Sequence, residues 1–241
     1  MREIEALKKA IPDYGVIAFS GGLDSSLIAY LALQKGNFTG YVVGLEGSHD
    51  IMWAERAADL MGLPLKKIVI DEKDVESAYL SIKKILGTDN LVTISFEMPL
   101  YFVAMHADEH IIISGQGADE IFGGYKRYEA MDDEILEREM EKDLRELLNG
   151  GINRDRSIAE HFGKDLITPY LSEEFLDVVL KRSALQRKGR GRKDMLREIA
   201  REAGLPEELY RKEKKAAQYG SGIMKVLKKT VKKAENNRSS V

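Results

Sequence analysis

The apolar positions of the first half fall into short continuous runs separated by stretches of helical period. Val16-Ile17-Ala18-Phe19 is a compact apolar run between Gly15 and Gly21, the pattern of a strand buried on both faces. Tyr41 to Leu45, Lys67 to Ile70 and Ile111 to Ser114 repeat that pattern. Between these runs apolar residues recur every three or four positions. Glu3 to Ala10 predicts a short amphipathic helix ended by Pro12, and Ser25 to Lys35 a helix stopped by Gly36-Asn37. Asp50 to Met61 predicts a third, stopped by Gly62 and Pro64; Val75 to Leu86 and Pro99 to His106 predict two more. This alternation predicts an α/β fold, a doubly wound parallel sheet with helices on both faces. Ligands of such sheets bind beyond the carboxyl ends of the strands, where the strand order reverses. The loops after the first and fourth strands are therefore the places to look for chemistry.

From Glu129 the pattern changes. Asp132 to Leu148, Glu173 to Leu180 and Arg192 to Ala203 read as helices, joined by loops at Gly150-Gly151, Pro169 and Gly204 to Pro206. The reading is one domain: an α/β core over residues 1–128 and a helical C-terminal part over 129–241 packed on it. The Lys-rich stretch from Lys225 is expected to fray.

Composition narrows the chemistry. At 241 residues, with 44% hydrophobic and 32% charged residues, the chain can build a packed core under a charged surface. Lys plus Arg number 37 against 40 Asp plus Glu, a net charge of −3 that gives no support to a dedicated nucleic-acid binder. There is no cysteine, which excludes disulfides, zinc-thiolate sites and thiol nucleophiles. No apolar run approaches the ~18 residues of a membrane span, and Met-Arg-Glu-Ile-Glu is no signal core, so a cytoplasmic protein is expected. His49, His106, His110 and His161 lack metal-ligand spacing and read as surface or packing residues.

The first loop reads Ser20-Gly21-Gly22-Leu23-Asp24-Ser25-Ser26, directly between a strand and a helix. Its glycines let the backbone turn tightly and approach a ligand. The serine hydroxyls and the N-terminus of the next helix favour an anion such as phosphate. Asp24 makes sense beside phosphates if a divalent cation sits between. The second loop, Ser114 to Tyr125, carries glycines at 115, 117, 123 and 124 with Asp119 and Glu120 between them. Asp119 is the second metal candidate, opposite Asp24; Glu120 reads as structural.

The first motif resembles the pyrophosphate-binding loop of the ATP pyrophosphatases, an adenine nucleotide alpha hydrolase-like fold. The second, Ser114-Gly115-Gln116-Gly117-Ala118-Asp119-Glu120-Ile121-Phe122-Gly123-Gly124-Tyr125, resembles the synthetase domain of the asparagine synthetase family. Val43 to Ser48, Thr168 to Leu171 with Phe175-Leu176-Asp177, and Lys214 to Gly222 resemble further segments of it, in order. The resemblance implies an ATP-dependent amide-forming ligase. It would adenylate a carboxylate, release pyrophosphate and accept an amine or ammonia. Carried over by position, Ser20, Gly21, Gly22, Asp24, Ser25 and Ser26 would hold pyrophosphate and metal. Phe19 and Val43 would contact the nucleoside, as would Ser114 and Gly115 through backbone. Asp24 and Asp119 would bind Mg²⁺, and Lys214 would neutralise the transferring phosphates.

Three departures qualify the resemblance. The family's glutaminase domain has no counterpart here, so ammonia would be free or come from a separate glutaminase or other donor. Gln116 stands where the synthetases carry a Glu at this catalytic position, and a Gln cannot act as a carboxylate base. Leu91 to Pro99 lacks the Arg that asparagine synthetases carry before the Pro, so a substrate with a second carboxylate loses a partner. Ser95 and Glu97 would suit a different, more cationic acid. The basic run Arg187 to Lys193 reads as a solvated connector, the alternative being a grip on an anionic substrate, nucleic acid or ATP phosphates. Tyr125, Tyr128 and Trp53 read as packing residues. Two other readings remain open: a tRNA-modifying ATP pyrophosphatase, and an ATP-binding homologue without catalysis. The partners implied are small molecules; no membrane is expected, and a homo-oligomer stays open.

Overall fold

A computed structural model describes residues 2–212 and 222–229. Five parallel strands form one sheet: β1 (Val16–Ala18), β2 (Thr39–Leu45), β3 (Leu65–Ile70), β4 (Ile111–Ile113) and β5 (Asp165–Ile167), in the order β3-β2-β1-β4-β5. The helices of the first half are α1 (Arg2–Ala10), α2 (Leu23–Leu33), α3 (His49–Met61), α4 (Glu72–Leu86), α5 (Leu91–His106) and α6 (Ala118–Phe122). Those of the second are α7 (Asp133–Glu146), α8 (Ile152–His161), α9 (Glu173–Val179), α10 (Ala184–Lys188), α11 (Asp194–Ala203) and α12 (Glu207–Arg211). Residues 223–229 are helical as well. Among the described residues no helix is long and apolar enough to cross a membrane.

The strands divide two cores by simple alternation. Ile17, Val42 and Ile113 point to one face, against α1, α2, α3 and α11. Val16, Tyr41, Val43 and Ile112 point to the other, against α4, α5 and α8. Successive side chains of a strand face opposite ways, so both halves of each apolar run are used. Helix α2 lies between the sheet and α1, α11 and α12, which accounts for apolar residues nearly all round it.

The order reverses between β1 and β4, so the loops following these two strands lie side by side at the switch point. Three local readings change. Helix α5 begins at Leu91, not Pro99, because Asn90 caps it by accepting from the N–H groups of Val92 and Thr93. Pro99 then sits inside the helix, and Ser95 and Glu97 lie on it. Gly150-Gly151 is no loop: α7 runs through one π-helical turn into α8. Finally, residues 129–241 are not purely helical, since they supply the edge strand β5, paired with β4 from Ile111 to Ile113.

Candidate functional site

The first loop is tied by its own hydroxyls. Ser25 Oγ lies 3.2 Å from Ser20 Oγ, accepts from the Ser20 N–H and donates to the Gly22 carbonyl. Gly21 takes a positive φ of 69° with Trp53 packed on it, and Trp53 Nε1 donates to the Gly21 carbonyl at 2.7 Å. Trp53 thus braces this loop. Tyr170, fully buried, donates to the Asp24 carbonyl at 3.1 Å; burial and the nearby Asp24 raise its pKa. Ser26 Oγ is buried with no hydrogen-bond partner among the described residues.

The second loop presses directly on the first. A Cβ built on Gly115 would lie 3.1 Å from the Ser25 backbone nitrogen and 3.2 Å from the Asp24 carbonyl carbon. Only a glycine fits comfortably in that seam. Glu120, buried, accepts from the Tyr125 hydroxyl, and burial together with this carboxylate drives the Tyr125 pKa upward.

The two candidate metal ligands meet on a third residue. Lys193 Nζ lies 2.5 Å from Asp24 Oδ1 and 2.6 Å from Asp119 Oδ1. Its side chain is 5% exposed, and theirs 14% and 21%. Lys193 caps α11 with φ 60°, the sole positive φ outside glycine among the described residues. Such a conformation costs about 1–3 kcal/mol and persists where the surroundings enforce it. Here Phe122 accepts the Lys193 N–H, and Gly124 leaves room for the lysine stem.

The basic run is therefore no solvated connector. Lys193, Arg187 and Lys188 are all buried. Arg187 Nε donates to the Ile121 carbonyl, Lys188 lies against Gly123, and Arg192 pairs with Glu129. The run clasps the second loop from behind. The sequence holds one signal for it: two acids at a strand-tip crossing require a cation, and this run is the densest source of one. The sequence pattern alone assigns that place to a metal ion.

A cavity of about 700 Å³ opens in front of the two loops. Ser20, Asp24, Ser25, Ser114, Gly115, Gln116 and Asp119 line it. Phe19 and Val43 do not: they are buried on opposite faces of the sheet. Gly21, Gly22 and Ser26 belong to the first loop without reaching this cavity wall. Lys214 lies outside the described residues.

Gly124 is the tightest point of the site. A Cβ there would fall 1.9 Å from Asp119 Oδ1 and 2.3 Å from Lys193 Cε. Gly124→Ala is expected to destabilise the fold by about 1–3 kcal/mol, as overpacking does. Gly36→Ala, where the nearest atom is 3.8 Å away, is expected to be neutral within about 0.5 kcal/mol. Urea unfolding of both variants measures the contrast, and equal midpoints would refute it.

Comparison with known proteins gives a consistent match. The family model for asparagine synthase matches residues 13–135 and 129–240. The "Putative asparagine synthetase (glutamine-hydrolyzing) 1" of Methanocaldococcus jannaschii is 33% identical, over 93% of this chain and 49% of its own length. The human asparagine synthetase (glutamine-hydrolyzing) is 30% identical, over 86% of this chain and 39% of its own. The chain thus spans half or less of the length of these relatives. Among solved structures, the U34-tRNA thiolase NcsA of Methanococcus maripaludis is 15% identical, with a TM-score of 0.39 over 95% of this chain and 78% of that one. At that score the likeness carries no argument. With the family model matched over nearly its whole length, the chain belongs to the asparagine synthase family.

Proposed function

We propose that this chain is an ATP-dependent ligase that adenylates a carboxylate with release of pyrophosphate and then joins the acyl group to an amine or ammonia. The observation that carries this reading is the seam at the switch point, where the Gly115 backbone touches Asp24 and Ser25 and the carboxylates of Asp24 and Asp119 converge on one ammonium. The first loop would bind the β and γ phosphates through its hydroxyls and the N-terminus of α2. Ser20 and Ser25 bring their hydroxyls to the cavity lining and support that role. Lys193 supplies a fixed cation where negative charge would develop.

The residues fit magnesium. No group of three or more metal-type side chains occurs among the described residues, which argues against an all-protein cage. Two converging carboxylates suit Mg²⁺ that shares its coordination with phosphates and water. Asp24 and Asp119 would hold it, and bound there it would draw charge from the phosphate oxygens. Gln116, on the same cavity wall, can orient a substrate by hydrogen bonds but cannot take its proton. Ammonia is one amine the cavity would take, and the setting would be the cytoplasm.

The test is pyrophosphate release from ATP and Mg²⁺, screened against carboxylic acids with ammonia. Release is expected with one class of acid. Asp24→Ala and Asp119→Ala are both expected to reduce it to background, at least about a hundredfold. Full activity in both variants would remove the phosphate and metal assignment.

A further inference from the structure

The lining of the cavity carries a feature that the two loops do not supply. Helix α5 presents Glu97 and helix α8 presents Asp155, both lining the cavity and only 4% and 9% exposed. The two carboxyls are neighbours. Burial first, and then the charge of Asp155, pushes Glu97 up to about 9; burial raises Asp155 to about 6. Among the described residues no N–H or hydroxyl group outside the pair is a hydrogen-bond donor to either carboxyl. The nearest cation is Arg154, half exposed, whose Nε lies 3.8 Å from Glu97 Oε1, beyond hydrogen-bond reach.

A purely structural role would not select this arrangement. Two acids sealed against each other cost more than a Gln or an apolar pair in the same place. What they create, inside a cavity otherwise furnished for phosphates, is an acceptor-rich surface that near neutral pH carries one proton and one negative charge between two carboxyls. A primary ammonium has three donors and no acceptor, the complement of that surface. Guanidinium groups are already present in the wall at Arg154, Arg127 and Arg192, so carboxylate-bearing ends of a substrate have other places to go.

We propose that Glu97 and Asp155 form the receptor for a protonated amine of the substrate, in the cavity that the two loops also line. This rests on the amide-ligase reading for the identity of the reaction, but the binding itself does not. The ammonium belongs either to the acid being activated or to the amine that attacks it. In both cases the pair sets specificity: it favours a substrate that carries an ammonium over one that does not.

The experiment is calorimetric titration of the full chain with 5-aminovalerate, valerate and methylammonium, with and without ATP and Mg²⁺. The variants are Glu97→Gln, which exchanges a protonated carboxyl for an amide of the same shape, and Asp155→Asn, which removes a buried charge; neither buries new charge, so both preserve folding. At least one ammonium compound is expected to bind the parent protein, and each variant to weaken it about tenfold or more. Valerate is expected to gain nothing from the pair. Selective binding of 5-aminovalerate assigns the ammonium to the acid; binding of methylammonium assigns it to the attacking amine. No binding of either compound, or equal binding by parent and variants, overturns the proposal. ATP titration in the same series reads the amide-ligase reading separately: failure of ATP to bind ends that reading and leaves the amine result standing.

Discussion

Lys193→Met is expected to lower the thermal unfolding midpoint by roughly 6–20 °C, and millimolar Mg²⁺ to recover part of the loss. The first figure follows from removing one member of a buried charge cluster. Losing one partner of such a cluster typically costs about 3–5 kcal/mol, because the other charges stay buried uncompensated. In a chain of this size each kcal/mol corresponds to about 2–4 °C. Methionine keeps the length of the side chain and the positive φ of position 193, so neither packing nor relief of backbone strain offsets the electrostatic loss. What remains is Asp24 facing Asp119 without the Lys193 ammonium. A divalent cation that binds there stabilises by mass action in the folded state only. The double variant Lys193→Met, Asp119→Asn removes the repulsion and is expected to regain stability without magnesium, a coupling that single changes cannot mimic. Scanning calorimetry of the parent, Lys193→Met, Asp119→Asn and the double variant, with and without Mg²⁺, decides the matter. A midpoint within 2 °C of the parent for Lys193→Met, by an order-of-magnitude criterion, would mean that the lysine does not hold the carboxylates together.

The parts of this molecule legible in one dimension are those whose physics is local. Val16 to Phe19 and Ile111 to Ser114 read as strands because a strand covered on both faces must be apolar throughout, and glycines mark where it ends. Their adjacency at the switch point follows from chain order and crossover handedness, and β1 does pair with β4. Asp165–Ile167 escaped because three residues at a sheet edge, two of them half-buried, make no pattern. Helix α8 escaped because two glycines ordinarily end a helix, whereas here a π-helical turn carries the chain through them. The site divides the same way. The glycines and serines of each loop are contiguous, but Lys193 meets Asp24 across 169 positions. The partner of a carboxylate at that separation leaves no period or spacing to read. Glu97 was legible as an acid in the segment that lacks the family's Arg before the Pro; Asp155, the group that changes its chemistry, lies on another helix.

The second large effect expected is a pH-dependent gain of stability in Glu97→Gln. Glu97 and Asp155 hold protons more tightly folded than unfolded, since burial raises both. Below the ordinary carboxyl range both states are protonated and the pair does not alter stability with pH. As pH rises through that range the unfolded chain gives up its protons while the folded pair keeps them up to about 9 for Glu97. The folded state therefore binds more protons throughout this window, and stability falls with rising pH. Glutamine can still hydrogen-bond Asp155 but has no proton to hold, so the Glu97 part of the slope disappears. At pH 5 the variant and the parent should unfold at nearly the same temperature. By pH 9 the variant should be more stable by about 1–2 kcal/mol, the size of gain found when a strained functional residue is replaced. Arg154, the nearest cation, is half exposed and too distant to cancel the effect. Thermal unfolding of both proteins at half-unit steps from pH 5 to 9 is the measurement. A difference that stays constant across the range would show that Glu97 is ionised in the fold, and a pair already ionised would have to be held by a cation other than the substrate's.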